Sequence, residues 1–444
     1  MTTKVCKFGG SSLADAGQID KVRRILAADP QRRYVVPSAP GKRHGDDQKI
    51  TDLLYLCHEH ARQGLPFDDV FALVSERYQQ IVAELGRGLD IAGPLEEIKQ
   101  HIASVSHDGG EPDYAASRGE YLNALVIAEL LGWEMIDAAE LIFFDERGRL
   151  DERRTYDHVQ QRLASVDHAV IPGFYGQLPD GRVKTFSRGG SDVTGAIIAR
   201  GVAASVYENW TDVDGLLMAD PRIVDNPRII ESLTYKELRE LAYMGATVLH
   251  DEAVFPVREV GIPVNIRNTN KPDAPGTTIF RGDGERIRTV RGEISGIAGR
   301  KDFTVIALEK AMMNAELGFG RRVLTVLEAN DVNFEHMPSS IDTLSIVVAD
   351  AEVEGKLEPI LEQLRAECHP DAIETFPDMA LIATVGRGMA HTPGMAAKLF
   401  GSLAAAGINI RMIDQGASEL NIIVGVAADD FEATVRAIYH AFVE

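Results

Sequence analysis

Two glycine-rich loops in this chain stand beside cations, and residues of that kind bind anions. Lys7-Phe8-Gly9-Gly10-Ser11-Ser12 ends a short stretch, 4–8, that alternates weakly as a strand does. Paired glycines after a strand let backbone N–H groups approach an anion closely, and the lysine adds a point charge. The plain alternative is a strand-to-helix turn with a surface lysine. The second loop is Ser187-Arg188-Gly189-Gly190-Ser191-Asp192-Val193-Thr194-Gly195, followed by Ala196-Ile197-Ile198-Ala199, whose composition suggests a helix. Arg188 offers a planar fork for a carboxylate or phosphate. Asp192 suits a helix cap, or a place beside a metal ion or the lysine. A third cluster, Trp210-Thr211-Asp212-Val213-Asp214-Gly215 with Ala219-Asp220-Pro221-Arg222, suits hydrogen bonding to a nucleotide and equally suits ordinary turns. Neither GxxxxGK[ST] nor GxGxxG occurs, so the loops follow neither the P-loop nor the dinucleotide pattern.

Other residue types invite chemistry and are given plainer roles. His58-Glu59-His60 lacks the i, i+4 spacing of a helical zinc pair, and no protein metal site is expected. Cys6 reads as a buried small hydrophobe, Lys42-Arg43-His44 as a solvated charge run, and Met312-Met313 as core.

The elements that must position the loops alternate in kind. Apolar strands are expected at 4–8, 34–36, 169–172, 204–207 and 263–266, with helices at 20–28, 119–131 and 235–243. Short apolar strands alternating with helices indicate an α/β domain with a largely parallel sheet. Pro272, Pro275 and Gly276 end that pattern, so the boundary falls between about 280 and 300, giving domains at 1–285 and 293–444. The tail repeats itself. A shift of 76 residues sets Gly318 on Gly394, Leu327 on Leu403, Asn333 on Asn409, and Leu344, Ile346 and Val348 on Leu420, Ile422 and Val424. Each copy reads as strand, glycine turn, helix (323–329; 397–405), two strands and a second helix (355–366; 430–442), a βαββα unit given twice. The copies span about 310–376 and 378–444, with a strand from 300–308 available to complete the second.

Composition excludes whole classes of function. A formal charge of −21 over 444 residues repels phosphate backbones and anionic membranes, so neither nucleic acid nor membrane is an expected partner. Hydrophobic residues at 45% with 25% charged describe a globular chain rather than a disordered one. Three scattered cysteines without CxxC fit a reducing compartment, and a cytoplasmic protein is expected.

Lys7-Phe8-Gly9-Gly10-Ser11-Ser12, Ser117-Arg118-Gly119-Glu120, Ser187 to Asp192, Trp210 to Arg222 and Gly245-Ala246-Thr247-Val248-Leu249-His250 stand in the order found in aspartate kinases. The doubled tail resembles that family's paired ACT domains, and the likeness covers essentially the whole chain. It implies a three-layer αβα amino-acid-kinase domain with a mostly parallel sheet, followed by two ferredoxin-like ACT units. It implies transfer of the γ-phosphate of MgATP to the β-carboxylate of L-aspartate, giving 4-phospho-L-aspartate, with Mg2+ as the cofactor that accompanies ATP. By motif position Lys7 neutralises the transferring phosphoryl group and Asp192 organises that lysine. Glu120 holds the substrate α-ammonium and Arg188 its α-carboxylate, while Ser38, Thr51, Phe174 and Ser191 line the aspartate pocket. Gly9, Gly10, Ser11, Thr211, Asp212 and Arg222 join Lys7 at the nucleotide. In the tail, Met313, Glu316, Gly318, Phe319, Asn333, Glu335, Ser339 and Ser340 match the place of an amino-acid effector, lysine or threonine. A homodimer or higher homo-oligomer through the ACT domains is implied.

Three departures from the family pattern stand out: Thr247 in place of a lysine, a long 40–49 loop, and His250 followed by Asp251 rather than proline. Glutamate, acetylglutamate, carbamate and uridylate kinases share the implied fold but do not typically combine Ser-Arg-Gly-Glu with paired ACT units. The missing dinucleotide fingerprint argues against a fused homoserine dehydrogenase. A catalytically silent amino-acid sensor is the rival from another class, and four retained charges (Lys7, Glu120, Arg188, Asp192) speak against it.

Overall fold

The computed structural model describes residues 2–86, 88–107, 111–187, 189–246, 251–282, 294–390 and 392–443. These fall into two compact units. The first comprises Met1–Leu216, Ile229–Tyr235 and Leu249–Arg288, the second Leu217–Arg228, Lys236–Val248 and Thr289–Glu444. The sequence reading cut the chain once, near 285–293. By packing, two short segments upstream of that cut also belong with the tail, which no linear pattern announces.

In the first unit the strands are β1 (Lys4–Phe8), β2 (Arg32–Pro37), β3 (Glu134–Met135), β4 (Ala169–Val170), β5 (Tyr175–Gln177), β6 (Val183–Thr185), β7 (Val206–Thr211), β8 (Ser232–Thr234), β9 (Val264–Asn268) and β10 (Thr277–Phe280). Eight of them form one sheet in the order β3-β4-β2-β1-β7-β9-β10-β8, and β5 pairs with β6 as a separate hairpin. Every pairing in the large sheet is parallel except β9 with β10. Side chains alternate along β1, as a strand's period of two requires. Cys6 and Phe8 enter the core beneath the Ala16–Ala27, Ile50–Arg62, Asp68–Leu85 and Asp113–Leu131 helices. Lys7 points to the opposite face, where the Gly190–Gly201 helix packs on β1, β2 and β7. Helices on both faces of a mostly parallel sheet make the three layers anticipated from sequence.

Two expected elements are displaced. The strand anticipated at 204–207 runs over Val206–Thr211, because Ala204 still bonds back to the preceding helix. Polar Glu208 and Asn209 hid its continuation. The helix anticipated from 119 begins at Asp113, its first turns carrying buried Ser117 and Arg118. Cys6 is fully buried, its Sγ 3.4 Å from Glu208, and burial pushes the thiol well up.

The second unit holds β11 (Gly296–Glu309), β12 (Thr343–Ala349), β13 (Ala372–Val385), β14 (Met412–Asp414) and β15 (Asn421–Ala427), an antiparallel sheet ordered β12-β11-β13-β15-β14. The repeat is structural. Gly318 and Gly394 each precede a helix in the left-handed region, at φ 78° and 93°, where a side chain is strained. Leu327 and Leu403 occupy equivalent core positions, as do Ile346 and Ile422. In the first copy the strand expected before β12 is a short bridged segment: Glu335 and His336 exchange main-chain bonds with Val347. Of the methionine pair read as core, only Met313 is buried, and Met312 is 71% exposed. Met312 has a left-handed φ of 59° just before the short helical turn that holds Met313.

Candidate active site

Those anticipated site residues of the first unit that are described gather where β1, β2, β4 and β7 end, the edge at which parallel α/β sheets take ligands. Strand order places β1 between β2 and β7, so the loops after all three converge. Gly9 N–H donates to the Trp210 carbonyl at 2.9 Å, and Ser38 N–H donates to the Phe8 carbonyl at 3.0 Å. Gly41 N–H donates to the Gly10 carbonyl at 2.8 Å, and a Cβ on Gly41 would lie 2.6 Å from the Gly10 carbonyl carbon. That approach ties the 40–49 loop to the first glycine turn. Arg77, almost wholly buried, completes the tie by bonding the Gly41 carbonyl at 3.0 Å and Asp47 at 2.6 Å. Hydrogen bonds from Arg43 hold the Asp47 carboxyl far below the usual carboxylate range. The loop read as a charge run is therefore anchored at Arg43 and Asp47.

Lys7 is 8% exposed, and its Nζ lies 2.7 Å from Asp192 Oδ1. The cap reading of Asp192 is overturned: Gly189, at φ 56°, stands at the N-cap, while Asp192 sits in the first turn with its carboxylate turned to the lysine. Phe174, at φ 84°, is held by its N–H on Thr194 Oγ1 at 3.0 Å, and Thr194 donates in turn to the Gly190 carbonyl. Ser191 is buried nearby, and Thr51 is half-buried in the first turn of the Ile50–Arg62 helix. Ser11 lies half-buried in the turn after Gly10. Thr211 donates to Asp212 at 3.2 Å at the end of β7.

Glu120 is 6% exposed, and its Oε2 has no hydrogen-bond partner. Burial pushes its carboxyl up to about 8, against the Ala39 N–H and the charges of Arg118 and Lys7, which favour ionisation. Three residues along the same helix, fully buried Asn123 donates to the Ser38 carbonyl at 2.7 Å and leaves its own Oδ1 unpartnered. Two buried acceptors without donors, one carrying negative charge when ionised, fit a ligand rich in N–H groups such as an ammonium. Sequence reading missed Asn123, Arg77 and Gly41. Spacing offered a hint only for Asn123, which lies one helical turn beyond Glu120.

Some expectations fall elsewhere. Arg188, Thr247 and His250 lie outside the described residues. Arg222 belongs to the second unit, where its exposed guanidinium is paired with Asp220 at 2.6 Å. In the tail, Met313 and Phe319 are core, and Glu316 is paired with Lys310 at 3.0 Å and with Arg322. Glu335 accepts from Tyr243 and lies 3.9 Å from Arg300. Gly318, Asn333, Ser339 and Ser340 are exposed. No described helix is long and apolar enough to cross a membrane.

The chain is similar to proteins already known. The amino acid kinase family model matches residues 2–268, and an ACT domain model matches 382–442. Aspartokinase 3 of Bacillus subtilis is 39% identical over 99% of this chain and 98% of its own length. The crystal structure of Clostridium acetobutylicum aspartate kinase, described as an allosteric enzyme, superposes with a TM-score of 0.90 at 55% identity, over the full length of both chains. Escherichia coli aspartokinase III, in complex with aspartate and ADP, superposes at 0.74 with 26% identity over both full chains; its complex with lysine and aspartate gives 0.73. With an amino acid kinase unit built on a mostly parallel sheet and ACT units in its tail, the chain belongs to the amino acid kinase family and, within it, to the aspartate kinases.

Proposed function

We propose that this aspartate kinase transfers the γ-phosphoryl group of MgATP to the β-carboxylate of L-aspartate, releasing ADP and 4-phospho-L-aspartate. The observation that carries the reading is the buried Lys7–Asp192 pair at the end of β1, beside Gly9 and Gly10. A carboxylate nucleophile is already ionised near pH 7, so the reaction needs positioning and charge neutralisation rather than a strong base. Lys7 supplies a fixed positive charge for the transferring group, and Gly9, Gly10, Ser11, Thr211 and Asp212 form the nucleotide side, with Arg222 assigned to it by motif. Glu120 takes the α-ammonium, which meets its unpartnered Oε2. Arg188 takes the α-carboxylate, and Ser38, Thr51, Phe174 and Ser191 line the pocket. Lys7 and Asn209 both meet Asp192 at Oδ1, and the carboxylate's second oxygen would suit the hard cation that accompanies ATP. When bound, that ion would neutralise phosphate charge.

The tail is read as the regulator. Lysine or threonine is proposed at Met313, Glu316, Gly318, Phe319, Asn333, Glu335, Ser339 and Ser340. Support comes from the Escherichia coli relative's lysine complex. A homodimer or larger homo-oligomer joined through the ACT units is proposed with it. Three buried free cysteines support a cytoplasmic setting. The test is ADP release from MgATP with and without L-aspartate, with hydroxylamine added to trap an acyl phosphate as its hydroxamate. Aspartate-dependent ADP matched by hydroxamate supports the reaction, and ADP without hydroxamate overturns the product. Repeating the assay with lysine and with threonine identifies the effector, and turnover that neither suppresses would remove the regulatory reading.

A further inference from the structure

The strand that carries Thr211 to the nucleotide side also carries two polar side chains that no motif assigns. Tyr207 and Asn209 are two residues apart on β7, so both point to the face bearing the Gly190–Gly201 helix. Glu208 and Trp210 point the other way. There Arg32 bonds Glu208 at 2.8 Å, and the guanidinium groups of Arg32 and Arg267 lie over the Trp210 ring. Tyr207 donates from its hydroxyl to the Asp192 main-chain carbonyl at 3.1 Å. Room for that hydroxyl exists because residue 195 is glycine: a Cβ there would lie 2.6 Å from Tyr207 Oη. Asn209, 4% exposed, donates from Nδ2 to Asp192 Oδ1 at 2.8 Å. That oxygen is also the one that meets Lys7 at 2.7 Å. The convergence follows from register, since β1 and β7 are parallel neighbours and Lys7 is paired directly with Asn209.

We propose that Asn209 is a positioning residue for the Lys7–Asp192 pair, fixing the carboxylate so that Oδ1 holds the lysine and Oδ2 faces the reacting groups. The inference rests on the reading of Lys7 and Asp192 as the catalytic pair. The last torsion of an aspartate is soft, with a broad energy well. One donor on Oδ1 leaves the carboxylate free to swing, whereas two donors on one oxygen from adjacent strands fix it. Neutrality matters as much as reach. A second carboxylate at this place would compete for Lys7, and a cation would displace it. An amide adds a donor and no charge.

The experiment measures kcat and KM for aspartate and ATP between pH 6 and 9 in the full chain, for the wild type, Asn209→Asp, Asn209→Leu and Asp192→Asn. Asn209→Asp keeps the shape and tests the donor. While the new carboxyl shares a proton with Asp192 it still donates, so turnover approaches the wild type at the acid end. As pH rises and that proton leaves, two facing carboxylates repel, and kcat falls about tenfold or more relative to the wild type at the same pH. Asn209→Leu lowers kcat by a similar factor at every pH, with both KM values within about threefold, because ground-state contacts to substrate are untouched. An Asn209→Asp profile parallel to the wild type, with Asp192→Asn inactive, overturns this inference alone. Turnover retained in Asp192→Asn overturns the catalytic pair and this inference with it. Asn209→Asp differs from the native residue by one atom type, so its pH profile decides the matter even if Asn209→Leu fails to fold.

Discussion

Glu120 is where the electrostatics of the site make the sharpest demand. A carboxyl buried without a partner on Oε2 and raised to about 8 carries its proton at neutral pH, yet an ammonium ligand needs it ionised. Aspartate binding near pH 7 is therefore expected to release about one proton from this group. Calorimetry in buffers of different ionisation enthalpy reads that number directly, and aspartate affinity should strengthen as pH rises toward 8. Binding with no proton release would remove Glu120 as the ammonium's partner. The same shift acts on stability. A folded-state pKa raised above the unfolded one favours the fold most below the unfolded value, and that contribution is lost as pH climbs from about 4.5 through about 8. Glu120→Gln should flatten this part of the melting-temperature profile while weakening aspartate binding. Lys7 is simpler. Lys7→Ala removes the fixed charge facing the phosphoryl group, and kcat should fall about 10²–10³-fold, as for the loss of other transition-state donors. A loss smaller than tenfold in steady-state assays would mean that another cation carries that role.

At the scale of elements, the site is held by close backbone approaches. The turn after β1 and the loop after β2 touch at Gly10 and Gly41 so closely that a methyl group has no room, and both neighbours are main chain, which cannot rotate away. Gly41→Ala should push the 40–49 loop off the first glycine turn. Overpacking of this kind costs about 1–3 kcal/mol. Because Gly9, Gly10 and Ser11 are assigned to the nucleotide, KM for ATP should rise severalfold more than KM for aspartate. Equal rises in both would place the loop's influence elsewhere. Arg77 and Asp47 brace the loop from its far side, so the strain has little room to dissipate.

For the whole molecule the proposed regulation is a coupling between a catalytic unit and a doubled regulatory one. Effector coupling is typically about 1–3 kcal/mol, or roughly 5–150-fold in affinity. Within the proposed effector site Glu335 is one of two carboxylates that would suit a diamino acid, and it is already engaged by Tyr243 and Arg300. An effector there must displace those contacts. Glu335→Ala should raise the lysine or threonine concentration needed for half-inhibition at least fivefold in the aspartate-dependent assay. An unshifted inhibition curve would move the effector site off this loop. Sedimentation across a range of protein concentrations checks the proposed dimer in parallel.

Much of this was legible in the chain before folding. Glycine turns after strands, a lysine beside one of them, Ser-Arg-Gly-Glu with its acidic end, and the doubled βαββα tail are local patterns. Local patterns survive in sequence because turn geometry and amphipathic period act within a few residues. Lys7 and Asp192 could thus be named from their neighbours in the chain, and Glu120 through the likeness of its motif to the aspartate kinases. Asn209 could not, since its meaning lies in a register: it matters because β7 lies beside β1 and sets it opposite Lys7. Asn123 matters because the loop after β2 brings Ser38 to it, and Gly41 because that loop meets Gly10. For Asp192 the chain left a helix cap and a place beside the lysine both open, and packing decided for the ion pair. Burial separates the two kinds of information: a residue's type and spacing are written in the chain, while the loss of water that raises Glu120 and the neighbour that fixes Asp192 exist only once distant segments pack.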